Sequence, residues 1–581
     1  MDTSKQTTCA VHPIGDKKYL VKIDASKQFL LLPIEDKAEV AKISLVVNNK
    51  AEKNVNVSLA VKTVEYTVPL DISMFRGKQI NLVIDGVEKG AVCWDALVQT
   101  DQFDRTNREK FKPSFHFSPD YGWMNDPNGM VYQDGIYHLC FQYNPYGSTW
   151  ENMSWGHATT KDLITWKHEP DALHGDGFGG MFSGGAVVDK FNSAGFGKDA
   201  IIAFYTNAGV GQVQCIAYSL DNGKSFTKYE NNPVLTSPIA DFRDPKVFWH
   251  EDTKRWIMIL AVDQHMEIFT SQNLKNWEYA SSFGEKEGAH GGVWECPDLI
   301  ELPIEGTDKK KWVLICNINP GGPFGGSATQ YFVGQFDGKT FINDSPYKTK
   351  WMDYGKDYYA TVTWANDPEN RCIALGWMSN WQYANQVPTQ QFRSATSIPR
   401  DLVLFQENGE VYLKSIIVKE LEQFVKSGDV IKDIEVKSEY EMRNFLLGKE
   451  AAYSIDLKMA VNDADIVGLT LFNNRNEEIT LYFDIREREF RMSRAKSGIT
   501  RFDPSETFEH ETIAPLYGDT VQLSLRILVD TCSIEIFGNG GKFTMTNLIF
   551  PEEPYNNIRF FSKGGAYLVE TFKKQPIRVK K

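Results

Sequence analysis

No stretch of the 581-residue chain reaches 18 consecutive apolar residues, which excludes a membrane-spanning helix. The start, Met1-Asp2-Thr3-Ser4-Lys5, has no apolar segment of the kind that directs secretion. Either the protein works in the cytoplasm or a leader has been cut away. A basic surplus is missing too: 63 Lys and Arg stand against 76 Asp and Glu, a formal charge of −13. That argues against nucleic acid as a partner, because gripping phosphates needs a cationic face. The acidic surplus serves solubility. The 8 cysteines (Cys9, Cys93, Cys140, Cys215, Cys296, Cys316, Cys372 and Cys532) lack CxxC spacing and a disulfide-dense pattern. They read as small buried hydrophobes. His138, His157 and His290 have no second His or Cys at ligand spacing and read as structural. Phosphate-loop and dinucleotide fingerprints are missing, and Gly177-Phe178-Gly179-Gly180 matches none of them. No metal or cofactor is expected.

Aromatic residues are abundant, with 14 Trp, 24 Tyr and 36 Phe, and period-two alternation runs through the chain. Val55, Val57, Leu59 and Val61 face one way, while Asn56, Ser58 and Ala60 face the other; Ile80, Leu82 and Ile84 alternate likewise. This predicts an N-terminal β-sandwich over residues 1–108 with no catalytic constellation; packing is its expected role and carbohydrate binding the alternative. Residues 109–416 carry an internal repeat. Asp162-Leu163-Ile164-Thr165-Trp166, Asp221-Asn222-Gly223-Lys224-Ser225-Phe226, Asn273-Leu274-Lys275-Asn276-Trp277 and Asp337-Gly338-Lys339-Thr340-Phe341 are polar turns that close on an aromatic. They recur at intervals of about 50 to 65 residues, room for four short strands, which is one propeller blade. A fifth blade would start in Tyr358-Tyr359-Ala360-Thr361-Val362-Thr363-Trp364. Residues 417–429 form a linker with a short amphipathic helix at 418–425. Residues 430–581 alternate again, as in Leu469-Thr470-Leu471, Ile479-Thr480-Leu481 and Leu523-Ser524-Leu525. The expected fold class is all-β: an N-terminal β-sandwich, a five-bladed β-propeller and a C-terminal β-sandwich.

Three carboxylates stand out against this frame. Trp123-Met124-Asn125-Asp126-Pro127-Asn128-Gly129, Arg243-Asp244-Pro245 and Glu295-Cys296-Pro297 each set an acid one or two residues before a proline, just ahead of a strand-like apolar run. Alone, an Asp-Pro pair is an ordinary turn signal. Here the acids fall near the starts of blades one, three and four. The first strand of a blade lines the propeller axis, so equivalent positions in these strands would converge on the channel mouth. Blade two offers Phe182-Ser183-Gly184-Gly185 at the corresponding place.

Two carboxylates flanking one bond are the apparatus of glycoside hydrolysis. One is ionised and the other carries a proton, so their environments must differ. Glu295 lies between Trp294 and Cys296, neighbours suited to a proton-donating acid. Asp126 has Asn125 and Asn128 as donors that would stabilise an anion. Asp244 follows Arg243, which would keep it ionised, and together they suit gripping sugar hydroxyls. Trp123, Trp150, Trp364 and Trp377 are candidates for flat faces against a ring.

In order and spacing these three blocks resemble the signatures of glycoside hydrolase family 32, the β-fructosidases that include invertases, levanases and inulinases. Phe141-Gln142-Tyr143-Asn144-Pro145, Trp155-Gly156-His157-Ala158, Phe182-Ser183-Gly184 and Asp353-Tyr354-Gly355 are similar to further family blocks, and the likeness covers roughly residues 112–578. The resemblance implies a five-bladed propeller with a C-terminal β-sandwich and a reaction that retains anomeric configuration. It implies Asp126 as nucleophile, Glu295 as acid and then base, and Asp244 as stabiliser of the transition state, helped by Arg243. Asn125, Gln142, Trp150 and Ser183 would complete the fructose pocket, with Trp123 and Trp377 as further substrate-binding residues. One departure is a glycine in Phe182-Ser183-Gly184-Gly185 where many members carry a second serine, a difference expected at the pocket rim. The N-terminal unit resembles the extra domain of fructan-degrading enzymes from Bacteroides-type bacteria.

The expectation is therefore a retaining exo-β-fructosidase that takes terminal fructose from levan, inulin and sucrose. An endo-acting levanase or inulinase, a fructosyltransferase using the same acids, and a non-catalytic fructan-binding protein are the alternatives. Its partner would be a fructan or fructo-oligosaccharide, and oligomeric state is left open. Because fructan polymers do not enter the cytoplasm intact, a periplasmic or extracellular location is expected, with the signal peptide absent from this sequence.

Overall fold

The computed structural model describes residues 9–176, 179–443 and 450–579. Residues 1–5 at the start, and Gly177 and Phe178 of the glycine-rich stretch, lie outside the described residues. Strands dominate, as the alternation predicts. In the N-terminal unit a five-stranded sheet, with Lys50–Val57 at one edge, packs on a three-stranded one. Val55, Val57, Leu59, Ile80, Leu82 and Ile84 all lie in the shared core. Ala60, read as facing outward, is buried there as well, because the strand ends at Val57 and the period-two rule stops with it.

Five sheets follow, one per propeller blade. Their inner strands are Gly122–Gln133, the interrupted pair Gly180–Phe182 and Ala186–Asp189, Phe242–His250, Val293–Pro303 and Tyr359–Thr363. Blade five is completed by Ile373–Trp377, Arg400–Glu407 and Glu410–Ile417. Strand Phe392–Arg393 pairs in parallel with Gly122 and Trp123, tying late chain to the first blade. The recurring turn has one physical cause in its four copies. Asp162, Asp221, Asn273 and Asp337 accept backbone N–H groups two to four residues ahead. The residue after each, Leu163, Asn222, Leu274 or Gly338, sits at positive φ. Each turn links the third strand of a blade to the fourth.

The short helix expected at 418–425 is present as a 3-10 helix, Lys419–Phe424. Six residues are too few to recover the cost of nucleating an α-helix, and three-residue bonds such as Leu421 N–H to the Val418 carbonyl (3.2 Å) close the turn instead. The C-terminal unit is two six-stranded sheets packed face to face, with Leu469, Leu471, Ile479, Leu481, Leu523 and Leu525 in the core between them.

A buried polar network joins propeller to C-terminal sandwich. His116 bonds Asp530 (2.9 Å) and Glu535 (2.7 Å), and Arg400 bonds both Asp353 (2.9 Å) and Glu535. Burial opposes a charge on His116, but the two carboxylates prevail and raise its pKa to about 9. The N-terminal sandwich is fastened through Asp36, which accepts from Tyr66, Ser148 and, at 3.4 Å, Arg393 of the propeller.

Candidate active site

The acid–proline pairs lie inside the inner strands, not ahead of them. Proline lacks the N–H that a ladder needs, so within a sheet it is confined to edges and bulges. Both conditions hold here. Each inner strand of blades three and four is the edge of its sheet. Asp244 and Pro245 together oppose Leu260, and Cys296 and Pro297 together oppose Cys316. Blade five repeats the bulge with Ala360 and Thr361 opposite Gly376. Asp244, Cys296 and Ala360 all adopt positive φ, at 64°, 42° and 52°.

The bulge is what builds the site. In a regular strand consecutive side chains point to opposite faces. An extra residue re-aims one of them, so Arg243 and Asp244, and likewise Glu295 and Cys296, all reach one pocket. Register also corrects the expected equivalence of the acids. Arg243, Glu295 and Tyr359 hold matching positions, each just before the positive-φ residue; Asp244 instead matches Cys296 and Ala360.

Asp126 accepts from Asn125 Nδ2 (2.9 Å) and from Ser183 Oγ (2.5 Å). Trp123 Nε1 in turn donates to Asn125 Oδ1 (2.8 Å), which orients that amide. Asn128, expected as a second donor to Asp126, faces elsewhere. Its oxygen accepts from Gly184 N–H (3.3 Å), or, with the amide turned, from Gln142 Nε2 (3.0 Å). Asp244 accepts the Cys296 N–H (2.9 Å), and the Cys296 sulfur lies 3.6 Å from both Asp126 Oδ2 and Asp244 Oδ2. Glu295 is gripped by Arg243 Nη2 (3.0 Å) and Nε (3.3 Å), and Tyr359 donates its hydroxyl to the other oxygen.

Burial raises the Asp126 carboxyl above its ordinary range, and nearby Glu295 adds to the rise; Ser183, Asn125 and Cys296 oppose it. Burial also pushes Asp244 up, to about 7, against the pull of Arg243. The expectation that Arg243 keeps Asp244 ionised is thus corrected. Arg243 Nε stands 4.0 Å from Asp244, while the guanidinium is committed to Glu295 and to Asp241 (2.5 Å).

Near the acids, Lys246 from blade three meets Asp298 (2.9 Å) of blade four and the Thr363 carbonyl (2.6 Å) of blade five, tying three blades together. Gly185, expected at the rim, lies beside this lysine; a Cβ there would meet the Pro245 carbonyl at 3.4 Å and Lys246 Cδ at 3.5 Å, ordinary contact distances.

Among the tryptophans, Trp123, Trp364 and Trp377 are buried and offer no open face, a correction to their reading as sugar platforms. Trp123 and Trp377 form a wall with Trp381 and Tyr359. Trp364 packs on Trp166 and donates to the His138 carbonyl, away from the acids. Trp150 alone of the four is exposed, at 40 %, beside Phe182. Tyr359, Asp241 and the bridging sulfur of Cys296 were not singled out from sequence. Alignment of the bulges would have found Tyr359, since it stands where Arg243 and Glu295 stand.

Comparison with known proteins bears on this geometry. Residues 116–415 match the model of the glycosyl hydrolases family 32 N-terminal domain, and residues 420–576 match its C-terminal counterpart. Residues 15–115 match a domain of unknown function (DUF4980). A levanase of Bacillus subtilis is 45 % identical over 482 residues, covering 81 % of this chain and 71 % of the levanase. An extracellular exo-inulinase of Aspergillus ficuum is 38 % identical over 511 residues, covering 79 % of this chain and 93 % of its own. Among solved structures, the exo-inulinase of Aspergillus awamori superimposes with a TM-score of 0.75 at 35 % identity, over 81 % of this chain and 99 % of that one. A β-fructofuranosidase of Schwanniomyces occidentalis complexed with fructosyl-erythritol gives 0.74 at 35 %, over 81 % and 98 %.

Proposed function

The chain belongs to glycosyl hydrolase family 32, and from that premise we propose how its residues carry out the chemistry. The activity is that of a β-fructosidase on fructans and sucrose. Asp126 attacks the anomeric carbon of the terminal fructosyl unit. Glu295 gives its proton to the departing glycosidic oxygen, and a fructosyl ester forms on Asp126. Glu295 then takes a proton from water, whose oxygen attacks the same carbon, breaks the ester and releases fructose with its configuration retained. Asn125 and Ser183 hold the Asp126 carboxylate in line. Asp244 accepts from fructose hydroxyls, most strongly as charge develops on the ring. Arg243 and Tyr359 fix the Glu295 side chain.

The observation that supports this most is the position of Cys296. One sulfur touches Asp126 and Asp244 alike at 3.6 Å, while the adjoining Glu295 turns into the same pocket. Three carboxylates from three blades thereby surround one reacting centre. Relatives named as exo-inulinases, matched over 93 % and 99 % of their own lengths, favour exo over endo cleavage. A polymeric substrate and relatives named as extracellular enzymes support a site of action in the periplasm or beyond the cell.

A product time course on levan, inulin and sucrose, with Asp126→Ala as the blank, tests the reading. Fructose as the sole early product is expected. A ladder of oligosaccharides would refute exo action; longer products from sucrose would show transfer to sugar. Retained fructan binding with no products from the parent would refute catalysis altogether.

A further inference from the structure

A cleft of about 500 Å3 runs between the N-terminal sandwich and the propeller, and of its lining only Trp150 was expected to meet substrate. Its volume falls in the range of small-ligand pockets, about 300–1,000 Å3. One wall is the edge strand Lys50–Val57, with Ala51 and Asn54 exposed along it. The other wall is Trp150 with Phe182, whose rings meet edge to face at 6.0 Å. Phe182 directly precedes Ser183, the residue bonded to Asp126, so the cleft opens one residue away from the reacting centre.

The two walls are held in fixed relation. The Asn56 N–H donates to Asn152 Oδ1 (2.8 Å), and Asn152 Nδ2 donates back to the Asn56 carbonyl (2.7 Å). The Asn152 amide thus pairs with the edge strand as another strand would. Asn56 Nδ2 reaches Glu151 (3.0 Å), and Asn152 also bonds Asn144 (3.0 Å) inside blade one. The loop that carries Trp150 is clamped from both sides. A half-exposed indole beside fixed amides matches the chemistry of a furanose chain, whose rings have apolar faces and hydroxyl rims.

We propose that this cleft binds the fructosyl units of a fructan chain that follow the unit being cleaved, with Trp150 as the stacking face and the strand edge at Ala51 and Asn54 as the opposite wall. The N-terminal sandwich is then a substrate-length selector, not a packing module. This rests on the β-fructosidase activity and adds to it: sucrose ends one unit past the scissile bond and reaches no further than the cleft's entrance, whereas levan and inulin fill it.

The test compares kcat/KM on sucrose, on levan and inulin, and on oligofructans of increasing length, for the parent, Ala51→Trp and Asn54→Trp. Either indole would occupy the cleft from an exposed position without breaking the Asn56–Asn152 clamp. The parent's kcat/KM should rise with chain length. In each folded variant the polymer-to-sucrose ratio should fall at least fivefold, through KM more than kcat, and the dependence on length should flatten. Two positions are used so that a variant that fails to fold leaves the other to decide. An unchanged ratio in a folded, active variant would overturn the cleft assignment alone. A parent that cleaves neither sucrose nor polymer would overturn the activity on which it rests.

Discussion

Replacing Asp244 by Asn should make this protein more stable and nearly inactive. Burial holds the Asp244 carboxyl at about 7 instead of 3.8, with Glu295 and Asp126 adding repulsion that Arg243 only partly offsets. A carboxyl whose pKa is raised in the fold binds its proton more tightly folded than unfolded. It therefore favours the fold below its unfolded value near 4, and that advantage is lost as pH rises through about 7. At pH 8 the folded protein carries a charge it has desolvated. At 1.36 kcal/mol per pH unit, the rise amounts to at most about 4 kcal/mol. Asparagine removes the charge, keeps the shape, and leaves an oxygen to accept the Cys296 N–H now bonded at 2.9 Å. The attraction to Arg243 is already contained in that figure; the amide's poorer hydrogen bonding trims it, so a net of about 1 to 3 kcal/mol is expected at pH 8. Thermal unfolding of parent and variant at pH 5 and pH 8 reads this out. The melting temperature of the variant should exceed the parent's by several degrees at pH 8, and the gap should shrink at pH 5. A variant less stable at pH 8, or a gap wider at pH 5, would refute the claim that desolvation dominates this carboxyl.

Two further outcomes follow from the same structure. Glu295→Gln should lower kcat on fructans by about 10²- to 10⁴-fold, while fructose binding by calorimetry stays near the parent's, since Arg243 and Tyr359 still have an amide to hold; parent-like turnover would sink the acid–base role. His116→Phe should cost about 3 to 5 kcal/mol by leaving Asp530 buried without its cation and Glu535 with Arg400 alone. In the parent, the stability supplied by His116 is fully present below pH 6.5 and lost as pH rises through about 9. Thermal scans from pH 6 to 10 should show that loss in the parent and a flatter profile in the variant.

How much could be read before folding differs by element. The blade repeat was legible because each turn is a local device. An Asp or Asn bonds backbone a few residues ahead, so Asp162, Asp221, Asn273 and Asp337 mark their turns wherever the chain goes. The sandwich cores were legible for a similar reason: Leu469, Leu471, Ile80 and Leu82 alternate because one face of a sheet is wet and the other is not. Proline beside the acids was legible as a signal but misplaced as a boundary. It marks bulges inside the inner strands, and a bulge is defined by the partner strand, here by Leu260, Cys316 and Gly376 well down the chain. The fate of the tryptophans was hidden too, since Trp123, Trp150, Trp364 and Trp377 share one chemistry and only packing separates the exposed one from the buried three.

The sequence by itself determined the all-β class, the five-blade propeller between two sandwiches, and which acids to watch, because all of these rest on short-range patterns of polarity and on backbone-bonding side chains. Only the tertiary structure decided that Arg243 serves Glu295 more than Asp244, that Tyr359 shares the position of Glu295, and that the N-terminal edge strand closes a cleft beside Phe182. Those facts depend on distances between segments tens to hundreds of residues apart. Sequence spacing carries no measure of such distances; the closure of strands around an axis sets them.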